Sequence, residues 1–191
     1  MRLFFALALD EPLRVRAAHV AGKLQQRLAD ARRGRAVKWV EPENLHVTMR
    51  FLGEVDEVRA QRLIERSREP LANVSFDLTV GSAGAFPPAG LPRVLWIGAG
   101  AGAETARKVF DDLEARLSLL GFEPEHRPYT PHMTLGRVRE IDRARGNELR
   151  EWLAQVPAQL GTQRVTRVTL YRSHLSSAGP RYEVVAEVPL S

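Results

Sequence analysis

Two short segments constrain this 191-residue chain more than anything else in it: NLHVTMRFL at residues 44–52 and PHMTLGRV at 131–138. Both alternate polar and apolar residues with a period of two, the pattern of a β-strand with one face packed against a core. His46 and Thr48 must then share one face while Leu45, Val47 and Met49 supply the other. The same holds for His132 and Thr134 against Met133 and Leu135. Each segment follows an EPE tripeptide (41–43 and 123–125), and each leads through an arginine towards an amphipathic helix. The spacing of the two copies is too long for a solenoid repeat and fits an internal duplication. The chain is therefore expected to bring two similar strands together, each offering one imidazole and one hydroxyl.

The remaining pattern is of strands and helices with no long polar linker. Residues 2 to 9 read as a buried strand, and Asp10 with Pro12 as a helix start, a capping carboxylate followed by a ring already at helical φ. Leu13, Ala17, Val20, Leu24 and Leu28 make one apolar stripe that runs to a stop at Arg32-Arg33-Gly34. Ala36 to Val40 is extended. Asp56 caps a second helix to about Arg68, and residues 74–80 alternate again. The Gly/Pro-rich run GSAGAFPPAGLP reads as a connection to the strand RVLWIG, followed by a third helix over about 103–120. After the second His motif come a helix from about Asn147 to Val156 and two strands, RVTRVTLYRS and YEVVAEVPL. Adjacent strands joined by turns as often as by helices predict an α+β fold. The whole of 1–191 is expected to form one domain of two intertwined lobes, each carrying one His-x-Thr motif.

Two imidazoles and two hydroxyls around one cavity suit in-line displacement at phosphorus. One ring takes a proton from the attacking water, the other gives one to the leaving oxygen, and the hydroxyls donate to the non-bridging oxygens. His19, His126 and His174 lie in ordinary settings. There is no cysteine, no HExxH and no carboxylate cluster beside either motif, so no metal ligand set and no cofactor is expected. Gly98, Gly100 and Ala103 satisfy a dinucleotide-binding G-x-G-x-x-A, but that chemistry also needs a second parallel strand ending in an acid about 20 residues on. None follows, so a tight strand-to-helix turn is the expected role. Neither a nucleophile elbow nor a phosphate-binding loop lysine is present.

The formal net charge is +5, and lysine occurs only at 23, 38 and 108, so 25 of the 28 basic residues are arginine. The guanidinium fork matches phosphate, which fits a phosphate-bearing or nucleic-acid partner, although many of these arginines fall on helix faces. The apolar run Leu3 to Leu9 is closed by Asp10 and Glu11, without a basic leader or cleavage site, and no run approaches a membrane span. A cytoplasmic protein is the expectation.

The paired motifs resemble the 2H phosphoesterase superfamily, and within it the bacterial and archaeal RNA 2′,3′-cyclic phosphodiesterases, also described as 2′-5′ RNA ligases. The resemblance covers most of the chain: RLFFALAL, WVEPENLHVTMRFLGEV, PRVLWIG, RPYTPHMTLGRV and TLYRSHLSSAGPRYEVV. It implies a two-lobed, pseudo-symmetric α+β fold whose antiparallel sheets line a central cleft with helices outside. It also implies metal-independent hydrolysis of a 2′,3′-cyclic phosphate to a 2′-phosphate, and a capacity for the reverse ligation. The partner implied is RNA with 2′,3′-cyclic phosphate ends, tRNA fragments among them, handled by a monomer with no membrane or protein partner. The family's catalytic pairs carry over to His46 with Thr48 and His132 with Thr134, and the arginine after the second motif to Arg137, as a phosphate or RNA contact. Strict alternation would put Arg137 on the face opposite His132, so a bulge near Gly136 is required to re-aim it. Tyr129 stands where Phe is common, and Arg50 at a variable position. A 2′-phosphate product needs protonation of the 3′ oxygen with the base on the opposite side of phosphorus; His46 as acid and His132 as base is the preferred assignment, and the pseudo-symmetry leaves the reverse open. Two other readings remain open: the same site acting on another cyclic or 2′-5′-linked nucleotide, and a non-catalytic RNA-binding module.

Overall fold

The computed structural model describes residues 1–30, 36–177 and 179–191. The expected stop of the first helix at Arg32-Arg33-Gly34 lies outside them. The strand β1 (Arg2–Ala8) is buried along Leu3 to Leu7 and leads into helix α1 (Glu11–Asp30). The Asp10 carboxylate caps that helix by accepting from the Leu13 amide at 2.9 Å. Next come β2 (Val37–Trp39), a 3-10 turn (Pro42–Asn44) and β3 (His46–Glu54). Helix α2 (Glu57–Arg66) is capped by Asp56, which accepts from Arg59 N. Strands β4 (Phe76–Phe86) and β5 (Val94–Ala99) lead to α3 (Ala103–Leu119) and β6 (His132–Val138). The chain closes with α4 (Arg143–Ala154), β7 (Gly161–Val165), β8 (Arg167–Ser176) and β9 (Gly179–Pro189).

All nine strands belong to one sheet, ordered β7-β4-β5-β6-β3-β1-β8-β9 with β2 added beside β6, and every named strand pairing is antiparallel. The fold is α+β. The sheet has two halves, β7-β4-β5-β6 and β3-β1-β8-β9, and the two His-x-Thr strands are the innermost member of each. They touch at one paired position, Val47 opposite Met133. The sheet curls, and Gln163 of β7 ties its far edge back to the end of β1: its amide donates to Ala8 O at 2.8 Å, and its carbonyl accepts from Asp10 N at 2.9 Å.

One face of the sheet packs on the helices. Val47, Met49, Met133 and Leu135 share a core with Leu13 and Leu24 of α1, Leu63 of α2, Leu113 of α3 and Leu149 of α4. Burial of this apolar area is the main favourable term in folding. The opposite face, carrying His46, Thr48, His132 and Thr134, is turned away from that core.

Three elements depart from the sequence expectation. Strand β4 continues through Gly81 to Phe86, where a connection is expected, because its glycines serve close packing. A Cβ on Gly84 would lie 2.4 Å from the Trp96 indole, which crosses that position. Helix α4 begins at Arg143 with Asp142 as its cap, four residues before the expected Asn147. The run RVTRVTLYRS is two strands, with burial slipping from Gln163 and Val165 to Val168 and Leu170 across Thr166. That phase change takes the chain from one half of the sheet to the other. Strand β5 has antiparallel neighbours on both sides, so the Gly98-x-Gly100 segment is a strand-to-helix turn and no parallel βαβ unit follows it.

Candidate active site

The two histidines are held in the same way. His46 Nδ1 lies 2.7 Å from Asn44 O, and His132 Nδ1 lies 2.7 Å from Thr130 O, in each case the carbonyl two residues upstream. A carbonyl only accepts, so both Nδ1 atoms carry the proton and both Nε2 atoms are the ones left for chemistry. Asn44 is itself fixed, its side-chain amide donating to Pro180 O at 2.9 Å.

Thr48, His132, Thr134 and Arg137 line one cavity of about 480 Å³, walled by Phe51, Phe86 and the loop from Glu125 to Thr130. His46 is not among its lining residues. The ring is half-buried beside it on the Thr48 face of β3, packed against Phe4 at 5.0 Å and edge-on to Tyr182 at 5.4 Å. His132 meets Phe86 edge-on at 5.2 Å. Burial among these rings holds the His46 pKa below the ordinary value, opposed by the bond to Asn44, so the resting imidazole is favoured in its neutral form.

Arg137 reaches the cavity because β6 bulges where the sequence requires. Trp96 faces Thr134 and Leu95 faces Gly136, so Leu135 is the extra residue. Leu135 and Gly136 are both buried, and the side-chain phase flips to put Arg137 on the cleft side. A Cβ on Gly136 would lie 2.7 Å from Val37 Cγ1 and 3.2 Å from Lys38 O, so only glycine passes there unstrained. Strand β3 has a matching shift, with Ala6 facing Thr48 and Phe5 facing Arg50. No carboxylate pairs with Arg137 among the described residues. Its charge is free to meet an anion.

Sequence reasoning missed the groups that hold the cleft wall. Arg50, set aside as variable, donates through Nε to Glu114 Oε1 at 2.7 Å, through Nη1 to Phe51 O at 2.7 Å, and through Nη2 to Glu123 O. Glu114 Oε2 accepts from Glu125 N at 2.8 Å. The two side chains are 13% and 15% exposed. They bind the loop before His132 to the strand that carries His46. Further along, Arg127 grips Glu125 with two donors and pulls its carboxyl down to about 2. Tyr129 stacks on Phe110 at 4.4 Å, and burial raises its pKa well above the ordinary value. The only signal for Arg50 in the sequence is the arginine after the first motif, and its partner lies 64 residues away.

Among the described residues no three His, Cys, Asp or Glu side chains are grouped as a metal site, and no helix is long and apolar enough to cross a membrane.

The family model described as "LigT like Phosphoesterase" matches this chain twice, at residues 15–96 and 97–182. A Methanothermobacter thermautotrophicus protein named RNA 2′,3′-cyclic phosphodiesterase is 37% identical over 95% of both chains. A Methanocaldococcus jannaschii protein of the same name is 34% identical over 98% of this chain and 99% of its own. Among solved structures, E. coli LigT complexed with 3′-AMP superposes with a TM-score of 0.70 at 26% identity, over all of this chain and 98% of that one. A Thermus thermophilus structure reaches 0.72 at 28% identity, with the same coverage. A twice-matched family model, relatives alike from end to end and a duplicated His-x-Thr strand in each half of the sheet together make this chain a member of the LigT-like phosphoesterase family.

Proposed function

We propose that this enzyme hydrolyses the 2′,3′-cyclic phosphate at the end of an RNA and leaves a 2′-phosphate. The observation that carries the reading is the identical tethering of His46 and His132, which keeps both Nε2 atoms clear of the carbonyls, His132 in and His46 beside a cavity lined by Thr48, Thr134 and Arg137, an arginine with no carboxylate partner among the described residues. Relatives alike over nearly the whole chain bear the name RNA 2′,3′-cyclic phosphodiesterase.

In the proposed reaction His132 Nε2 takes a proton from water as its oxygen bonds to phosphorus. The bond from phosphorus to O3′ breaks, and His46 gives its Nε2 proton to O3′. Thr48, Thr134 and Arg137 donate to the non-bridging oxygens, whose charge grows in the transition state. His46 rests neutral, so the incoming cyclic phosphate anion supplies the charge that favours its imidazolium. A 5′-hydroxyl in place of water, losing its proton to His132 as its oxygen bonds to phosphorus and O3′ leaves, gives a 2′-5′ linkage by the same steps, which is ligation. Every group the chemistry uses is an imidazole, a hydroxyl or a guanidinium.

Both motifs come from one chain, which supports a monomer as the working unit, acting in the cytoplasm on RNA fragments, pieces of tRNA among them. Sedimentation as a single chain and recovery in the cytoplasmic fraction test that placement.

Incubation with an RNA ending in a 2′,3′-cyclic phosphate, with and without chelator, tests the activity; a product keeping its phosphate on O3′, or none, refutes the reading. The roles separate with a substrate whose 3′ oxygen is sulfur, a leaving group that needs no proton. His46→Ala should turn that substrate over while His132→Ala should not, and the opposite result reverses the two roles.

A further inference from the structure

On the helical face of the sheet, away from the catalytic cleft, α1 and the end of α4 part around a groove of about 480 Å³ that shares no residue with the reaction cavity. Val20 and Leu24 of α1 form its floor and belong to the core. The opposite wall is Trp152 at the end of α4, Val156 just past it and Leu160 before β7, each half-buried. Val15, also in the lining, is 56% exposed. Two arginines tie wall to helix: Arg16 Nη1 donates to Leu160 O at 3.0 Å, and Arg27 Nη1 to Gln155 Oε1 at 3.3 Å. The groove is therefore held open by the fold itself.

Arg16, His19, Lys23 and Arg27 follow one another at spacings of three and four, so they form one ridge along α1 beside the apolar wall. The ridge is about 17 Å long, some three turns at roughly 1.5 Å per residue. Like charges four positions apart, as Lys23 and Arg27 are, weaken a helix by themselves. No Asp or Glu lines the groove, and among the described residues no carboxylate pairs with any of the four. The complement of such a surface is a row of negative charges at the same spacing, alongside apolar side chains.

An amphipathic helix with acidic flanks has both, because its own side chains repeat every three and four residues. Two other anions fit less well. A fatty carboxylate brings one charge to a row of cations. A nucleic acid brings many, but single strands bind through stacked bases as well as phosphates. Trp152, the one large aromatic side chain in the lining, already has the Arg27 guanidinium over its ring at 5.7 Å.

We propose that the groove between α1 and α4 docks an acidic amphipathic helix of a partner protein, its Asp and Glu side chains on Arg16, Lys23 and Arg27 and its apolar side chains against Leu24, Trp152, Val156 and Leu160. The inference goes beyond the cyclic phosphodiesterase reading and does not rest on it. Because the groove opens on the face opposite His46 and His132, a docked partner leaves the cleft open to substrate.

The test is fluorescence anisotropy with a labelled peptide of roughly 15 residues, about four turns of helix, carrying Leu at helical spacing and Glu on both flanks. It should bind with micromolar affinity that weakens as salt is added. A scrambled peptide of the same composition, alike in charge but without an apolar face, should bind at least about tenfold more weakly. Lys23→Glu and Arg27→Glu, both at exposed positions, should each lower affinity by roughly tenfold or more, whereas Arg62→Glu, the same change of net charge on α2, should lower it less than about twofold. Absent binding, equal binding of the scrambled peptide, an equal loss in the Arg62 variant, or displacement by single-stranded RNA of matched charge each overturns the docking groove. Inhibition competitive with a cyclic phosphate would put the peptide in the catalytic cleft and overturn it as well. Anisotropy needs no substrate, so failure of the groove and failure of the phosphodiesterase reading show separately.

Discussion

Replacing Arg50 with methionine should destabilise the chain and slow its chemistry, for one structural reason. The guanidinium makes three hydrogen bonds, one of them the ion pair to Glu114, and the two side chains are 13% and 15% exposed. Methionine keeps most of the volume and removes every donor. Glu114 is then left as a nearly buried carboxylate whose remaining partner is the Glu125 amide. Breaking one side of such a pair costs about 3 kcal/mol, the low end for a fully buried one. A domain of this length loses roughly 2–4 °C in Tm per kcal/mol, so a fall of roughly 6–12 °C is expected by calorimetry. The catalytic effect follows from what the pair holds. With Glu123 released and Glu114 no longer joined to Arg50, the loop that delivers the Thr130 carbonyl to His132 is no longer pinned to β3. A displacement of about 1 Å at a catalytic group is worth up to roughly a hundredfold, so kcat should drop by about ten- to a hundredfold while KM moves little. The double variant Arg50→Met/Glu114→Leu removes the stranded charge and should recover much of the Tm but not the kcat, because the loop tether is still missing. A single variant with unchanged Tm, or a double variant less stable than the sum of the two singles, would refute the reasoning.

Several other outcomes are expected. His46→Ala and His132→Ala should each reduce turnover of a cyclic phosphate by about 10²–10⁴ while circular dichroism stays native, as loss of a general acid or base does. Arg137→Ala should lower kcat/KM by roughly 10²–10³, with partial recovery in Arg137→Lys, which keeps the charge and loses the fork. Gly136→Ala should destabilise by about 1–3 kcal/mol, because its Cβ meets Val37 and the Lys38 carbonyl, and should lower activity by shifting Arg137. The pH dependence of stability should carry the mark of His46. Its folded pKa is depressed, so its contribution is complete above the ordinary histidine pKa of about 6.5. It is lost as pH falls from there through the folded value, because the unfolded chain takes up a proton that the folded one resists. Between about pH 7 and pH 5 wild type should therefore lose more Tm than His46→Gln, and equal losses would contradict the burial argument.

How much of this was readable from the chain follows the range of the interactions. The His-x-Thr strands, the caps at Asp10 and Asp56 and the start of α3 are set by residues within one turn or one pleat of each other, and these the sequence determines. Even the bulge before Arg137 is implied, since no unbroken strand puts His132 and Arg137 on one face. Local pattern fails where the cause is a distant neighbour. Gly84 reads as a loop residue until Trp96 is laid across it, and the split at Thr166 shows only as a slip in burial phase once β7 and β8 sit in opposite halves of the sheet.

The two catalytic candidates differ for the same reason. In sequence His46 and His132 are near duplicates, and their Nδ1 tethers are the same. Tertiary packing alone sets Phe4 and Tyr182 around one ring and leaves the other lining the open cavity. It also joins Arg50 to Glu114 and leaves Arg137 without a carboxylate among the described residues. Alternation and capping are fixed by neighbours along the chain. Solvation, charge pairing and the width of a cleft depend on which surfaces meet, and that is decided only when the sheet curls and its two halves close on Val47 and Met133.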